Sequence, residues 1–184
     1  MPPIENLEAL IATPQPPELG PDPRSGVQAE AELRTALDEG FRHTKLSEES
    51  RQLVRALVLL WHDHLHAAHR IVQAIETPDG SLVHAIMHRR EPDYWNSKYW
   101  WRRVGQHPCF PELAKRVTAF LESKGEPELL AKLVPSGGWD PFAFVDACEA
   151  TAGSKSEAHR EILREVQRIE TEVALAHFLG GDGS

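Results

Sequence analysis

Proline placement constrains this chain more than any other feature. Its fourteen prolines fall in one early cluster and then at the seams between apolar-periodic stretches. Proline fixes φ and carries no N–H, so a helix tolerates it in the first turn and not in the interior. Pro111, Pro127 and Pro141 each open such a stretch, which predicts helices over 111–123, 127–134 and 141–151. Pro135-Ser-Gly-Gly138 separates two of them. Thr77-Pro-Asp-Gly80 and Pro92-Asp93 read as turns, with helices following over 82–90 and 94–104.

Upstream, residues 27–39 are rich in Ala, Glu and Leu and stop at Gly40, a C-terminal helix signal. Ser47 followed by Glu48 and Glu49 supplies an N-cap and first-turn acids for a long helix running to about Glu76. The last helix, 156–179, sets Ile162, Val166, Ile169 and Val173 in a narrow seam, suited to an internal groove or to a homodimer. No stretch alternates as a strand does. The expected fold is all-α: a compact domain, residues 27–184, of about seven to eight helices around a central helix 48–76. Residues 13–26 hold five prolines and two glycines, so 1–26 reads as an N-terminal arm and linker.

Composition narrows the function classes. The formal charge of −8 argues against general nucleic-acid binding, which needs a basic surface. Ser81 to Pro108 nonetheless holds five Lys or Arg against two acids, leaving room for a small anionic ligand or peptide. Cys109 and Cys148 form no metal-binding pair and no disulfide framework. With no basic start, no apolar leader and no membrane-length apolar run, the expectation is a cytoplasmic protein that does not engage membranes.

Seven of the ten histidines lie between Trp61 and Pro108. On one continuous helix, His62, His66 and His69 share a face with Arg51 and Arg55, while His64 falls among Leu53, Leu57, Leu60 and Ile71. The next helix adds His84 and His88, four residues apart. Folding it back antiparallel brings His69, His84 and His88 together, with His62, His64, His66 or Glu91 as further candidates. Imidazoles at such spacings can share a divalent transition metal with an open position that activates water. Glu91 or Asp63 would then be the catalytic base or an orienting carboxylate. The plainer alternatives are an ordinary solvated face for His62, His66 and His69, and a hydrogen-bonded core residue for His64. No His-Glu-x-x-His or Glu-x-x-His string supports the metal.

The passage from His88 to Pro108 interleaves Tyr94, Trp95, Tyr99, Trp100 and Trp101 with Arg89, Arg90, Arg102 and Arg103. Guanidinium stacks on indole and binds carboxylate or phosphate bidentately. Arg89, Arg90, Tyr94, Trp100, Arg102, Arg103 and His107 are therefore the candidate ligand-binding residues. The alternative is a hairpin whose indoles fill the core. Cys109, behind His107, reads as a small buried residue rather than a nucleophile.

With Ala85, Asp93-Tyr94, Ser97, Trp101 and Pro108 near the expected positions, residues 82–108 resemble a single tetratricopeptide-type hairpin. His88 and Ser81 depart from that pattern and no second copy follows. The likeness implies a packed α-hairpin with a peptide-binding neighbour surface. The WHDHL, HRRE-x-D and NSKYWWRRVG-x-HP strings also resemble a bacterial and fungal family of uncharacterised activity, which implies no reaction. Three functions follow as expectations: a helical ligand- or peptide-binding scaffold, a hydrolase-like metal enzyme, and a module whose histidines respond to pH.

Overall fold

In the computed structural model, residues 3–153 and 156–180 are described, and within them the fold is all-helical. Chain order is α1 (Pro3–Glu8), a 3-10 turn (Ala9–Ile11), α2 (Glu30–Phe41), α3 (Glu48–Trp61), α4 (Leu65–Val72) and α5 (Pro78–Arg90). There follow α6 (Tyr94–Val104), α7 (Phe110–Lys124), α8 (Pro127–Leu133), a second 3-10 turn (Pro135–Gly137), α9 (Pro141–Ala152) and α10 (Glu157–Leu179). None of these helices is long and apolar enough to cross a membrane.

The predicted helix 48–76 is two helices. Asp63, at φ 66°, adopts the left-handed conformation between them. Its amide bonds the Leu60 carbonyl at 3.2 Å, and the His64 amide bonds the Leu59 carbonyl at 2.9 Å, the paired bonds of a Schellman C-cap. Glycine normally holds that left-handed position. Here Asp63 does, and its carboxylate accepts from the Arg24 amide at 2.9 Å and from the Arg90 guanidinium at 2.7 Å. Burial alone would raise the Asp63 carboxyl, but these donors outweigh it and hold it below the usual carboxylate range.

Helix α3 is nonetheless central, buried from Leu53 to Trp61 apart from Arg55, and packed by α2, α4, α5 and α10. The α10 seam is spent inside the molecule. Val166, Ile169 and Val173 are buried against the body and Ile162 is half-buried, so of the two uses read for this apolar stripe the fold fills the intramolecular groove. Arg89 of α5 pairs through both guanidinium nitrogens with Glu170 of α10 and lies 4.3 Å from the Phe144 ring centroid.

The proline-rich segment is a docked arm rather than a free linker. Leu7 is fully buried against α2, where Gly40 lies inside the helix instead of ending it and makes room for the Leu7 side chain, 2.5 Å from where a Cβ would stand. Arg164 and Gln167 of α10 donate to the carbonyls of Pro16 and Pro17, and Arg90 donates to those of Glu18 and Gly20. The arm is not helical here, so its carbonyls have no helix N–H to accept from, and these long side chains satisfy backbone that would otherwise lack a partner.

Candidate metal centre

Breaking the chain at Asp63 gives α4 its own direction, and α5 returns beside it. Thr77 caps α5 through the Gly80 amide at 3.2 Å, so Pro78, Asp79 and Gly80 form its first turn instead of a loop. Glycine is required there: a Cβ on Gly80 would fall against the Ile75 carbonyl and 2.6 Å from its Cγ2. This close packing sets α5 against the end of α4.

Three imidazoles converge as a result. His69 comes from α4, and His84 and His88 from one face of α5, with one ring nitrogen of each within 4.8 Å of the others. Ring centroids lie 4.9 Å apart for His69–His84, 5.4 Å for His69–His88 and 4.9 Å for His84–His88. Nitrogens around a tetrahedral zinc ion stand about 3.3 Å apart, from Zn–N bonds of about 2.0–2.1 Å, so modest ring rotation closes the set.

Each ring has a defined setting. Trp100 of α6 stacks on His84 with centroids 3.8 Å apart, and the Arg103 guanidinium lies 5.4 Å from the Trp100 ring. His84 is 3% exposed, and its Nδ1 has no hydrogen-bond partner. A buried nitrogen without a partner is costly, and native proteins keep few of them without reason. Burial first, then the adjacent His88 and His69 rings, push His84 down to about 3, which keeps it neutral with a lone pair to offer. His88 Nδ1 lies 3.3 Å from Glu91, and the Asn96 amide nitrogen stands 3.1 Å from His88 Nε2. A carboxylate on one imidazole nitrogen is the usual way to orient a ring for metal at the other, and an ion on Nε2 would displace the Asn96 amide that now stands there. Burial lowers His88 as well, with Glu91 pulling the opposite way.

The remaining candidates are elsewhere. His62 is buried under the arm, its Nε2 2.7 Å from the Leu10 carbonyl and its Nδ1 accepting from the Gln28 amide. His64, expected in the core, is half-buried at the helix break and bonds the Gln28 carbonyl at 2.8 Å. His66 is exposed. His62 and His64 differ from the helical-wheel reading because the wheel assumed an unbroken helix, whereas His66 lies on the solvated face the wheel gave it. Asp63 is committed to Arg24 and Arg90 and offers no base to the histidines.

Arg89 and Arg90, expected at a ligand's rim, are 0% and 1% exposed and tied to Glu170 and Asp63. Tyr94 is half-buried, while Arg102 and Arg103 are exposed. His107 is buried between Asp79 and Cys109, at 2.7 Å and 2.9 Å. Burial pushes the Cys109 thiol up to about 12, against any nucleophilic use. Helices α5 and α6 form the packed hairpin, pinned where Ser97 Oγ donates to the Ala85 carbonyl at 2.8 Å.

Sequence reasoning missed Asn96, whose place against His88 depends on the α5–α6 packing. It also missed a second group, Asp79, His107 and His177, whose ligating atoms lie within 4.8 Å of one another. Their separation along the chain left no local signal. The chain matches no protein-family model, no curated protein and no solved structure.

Proposed function

We propose that this protein binds a divalent transition-metal ion through His69, His84 and His88, and that the bound ion would supply hydrolase-type chemistry by activating water. The observation that carries the reading is the convergence of three imidazoles with the buried, unpartnered Nδ1 of His84 among them. Three imidazole ligands would leave a fourth position for water, whose pKa such an ion would lower toward neutrality. Glu91 positions His88, and Trp100 fixes the plane of His84. The half-buried His69 places one side of the centre toward solvent.

An aromatic path supports substrate approach from the α6 side. Trp95, 74% exposed, stacks near Tyr99, which meets Trp100, which covers His84. That exposed indole, with Arg102 and Arg103 nearby in sequence, also favours a second reading in which the face binds an anionic ligand or peptide without chemistry.

Titrating the metal-stripped full-length chain with Zn²⁺ tests the proposal. His69→Ala and His88→Gln should each weaken binding by at least about tenfold, and Glu91→Gln by about 10- to 100-fold. Zinc-dependent cleavage of an activated ester should fall in parallel. Unaltered zinc affinity in the His69→Ala and His88→Gln chains would defeat the assignment. Metal binding without any cleavage would leave the scaffold reading in place.

A further inference from the structure

We infer that Asp79, His107 and His177 form a second, separate site for a divalent transition-metal ion, one that clasps the start of α5 to the end of α10. The three residues come from the first turn of α5, the segment between α6 and α7, and the last turn of α10. A single carboxylate oxygen, Asp79 Oδ1, meets His107 Nε2 at 2.7 Å and His177 Nε2 at 3.1 Å. The two imidazoles lie edge to face with centroids 5.0 Å apart. Three donor atoms from distant parts of the chain therefore already crowd one point.

Two histidines and one carboxylate are a recurrent donor set for zinc and ferrous iron, leaving positions open to water. The observed separations are slightly shorter than the roughly 3.3 Å edge of a tetrahedral zinc site, so an ion enters by a small expansion. Exposure fits capture from solvent. The His107 side chain is 1% exposed, whereas Asp79 and His177 are 31% and 30% exposed. The site has a closed floor and an open side.

Cys109 completes the setting. His107 Nδ1 now accepts from the Cys109 amide at 3.3 Å, so its Nε2–H donates to Asp79. Were Nε2 to take a metal, the ring proton would sit on Nδ1, where Cys109 Sγ at 2.9 Å is the acceptor and the Cys109 amide would give up its bond to that nitrogen. The thiol orients the ring without ligating the ion, and no net proton is lost from the imidazole. Such an outer partner is the normal complement of a metal-bound histidine. The alternative role for the trio is a hydrogen-bonded tie that ignores metal.

The test counts zinc bound to metal-stripped full-length protein after gel filtration. Wild type should hold two ions per chain, His69→Ala/His88→Gln one, and Asp79→Asn/His177→Gln one. Equal zinc content in wild type and Asp79→Asn/His177→Gln would overturn the second site, whatever the first one does. A single wild-type ion that persists in His69→Ala/His88→Gln, and vanishes in Asp79→Asn/His177→Gln, would uphold the second site and remove the first. A footprint needs no variant: saturating Zn²⁺ should slow diethyl pyrocarbonate labelling of His177 at least fivefold. Labelling at the same rate with and without zinc would contradict the proposal.

Discussion

Replacing Asp63 with Ala attacks the joint between α3 and α4, which sets the direction of the histidine-bearing helix. Its side chain and that of Arg90 are each 1% exposed, so removing the carboxylate strands a buried guanidinium. Breaking a buried pair this way costs about 3–5 kcal/mol. Arg90 keeps the carbonyls of Leu60, Glu18 and Gly20, so the loss belongs at the lower end, about 3 kcal/mol. Alanine at φ 66° adds about 1 kcal/mol of backbone strain. The sum, about 4 kcal/mol, should lower Tm by about 8–16 °C for a domain of this size.

Urea and thermal denaturation followed by circular dichroism measure it directly. Asp63→Gly should recover the backbone part only, and Asp38→Ala, at an exposed pair with Arg55, should change stability by less than about 0.5 kcal/mol. An Asp63→Ala chain as stable as Asp38→Ala would show that the carboxylate does not hold the joint.

The pH response of His62 is a second expectation. Burial, opposed by its bond to the Leu10 carbonyl and by Asp63 and helped by Arg24 and His64, leaves it below its ordinary value of 6.5. Unfolded His62 then takes up a proton that the folded ring refuses. Its contribution is complete above pH 6.5 and shrinks as pH falls toward the lower folded value, by up to about 1.4 kcal/mol per pH unit. The stability gap between wild type and His62→Gln should therefore narrow between pH 6.5 and 5; a constant gap would be inconsistent with a neutral buried ring. Gly80→Ala should cost about 1–2 kcal/mol, the overpacking penalty less the helix-propensity gain. Gly153→Ala, where a Cβ would meet nothing within 4 Å, should be neutral or mildly stabilising; equal losses at both positions would argue against the close approach of α5 to Ile75. Glu170→Ala should cost at least about 3 kcal/mol, because Arg89 is left fully buried and charged, and a loss below about 1 kcal/mol would contradict that burial.

Helix positions were legible at most ends that a local signal marked, Gly40 and the Thr77–Gly80 turn being the exceptions. Pro111, Pro127 and Pro141 open α7, α8 and α9 as their fixed φ requires, and Ser47 caps α3 through the Ser50 amide. The break at Asp63 was not legible. A residue other than glycine holds the left-handed position, and long-range bonds from Arg24 and Arg90 make it tenable. The pairing of His84 with His88 followed from a four-residue spacing alone, and His69 from the expectation that α5 turns back on the preceding helix. Arg89 and Arg90 misled because local pattern cannot distinguish a solvated cation from one neutralised by Glu170 or Asp63. Those partners lie 81 and 27 residues away. Asp79, His107 and His177 meet only because α10 closes over the start of α5.

The most direct test is an anomalous-difference map at the zinc edge from crystals of the full chain equilibrated with Zn²⁺. A peak about 2.1 Å from one nitrogen each of His69, His84 and His88 is the expected result. A well-ordered map in which these rings keep their places with no peak among them would contradict the metal-centre account.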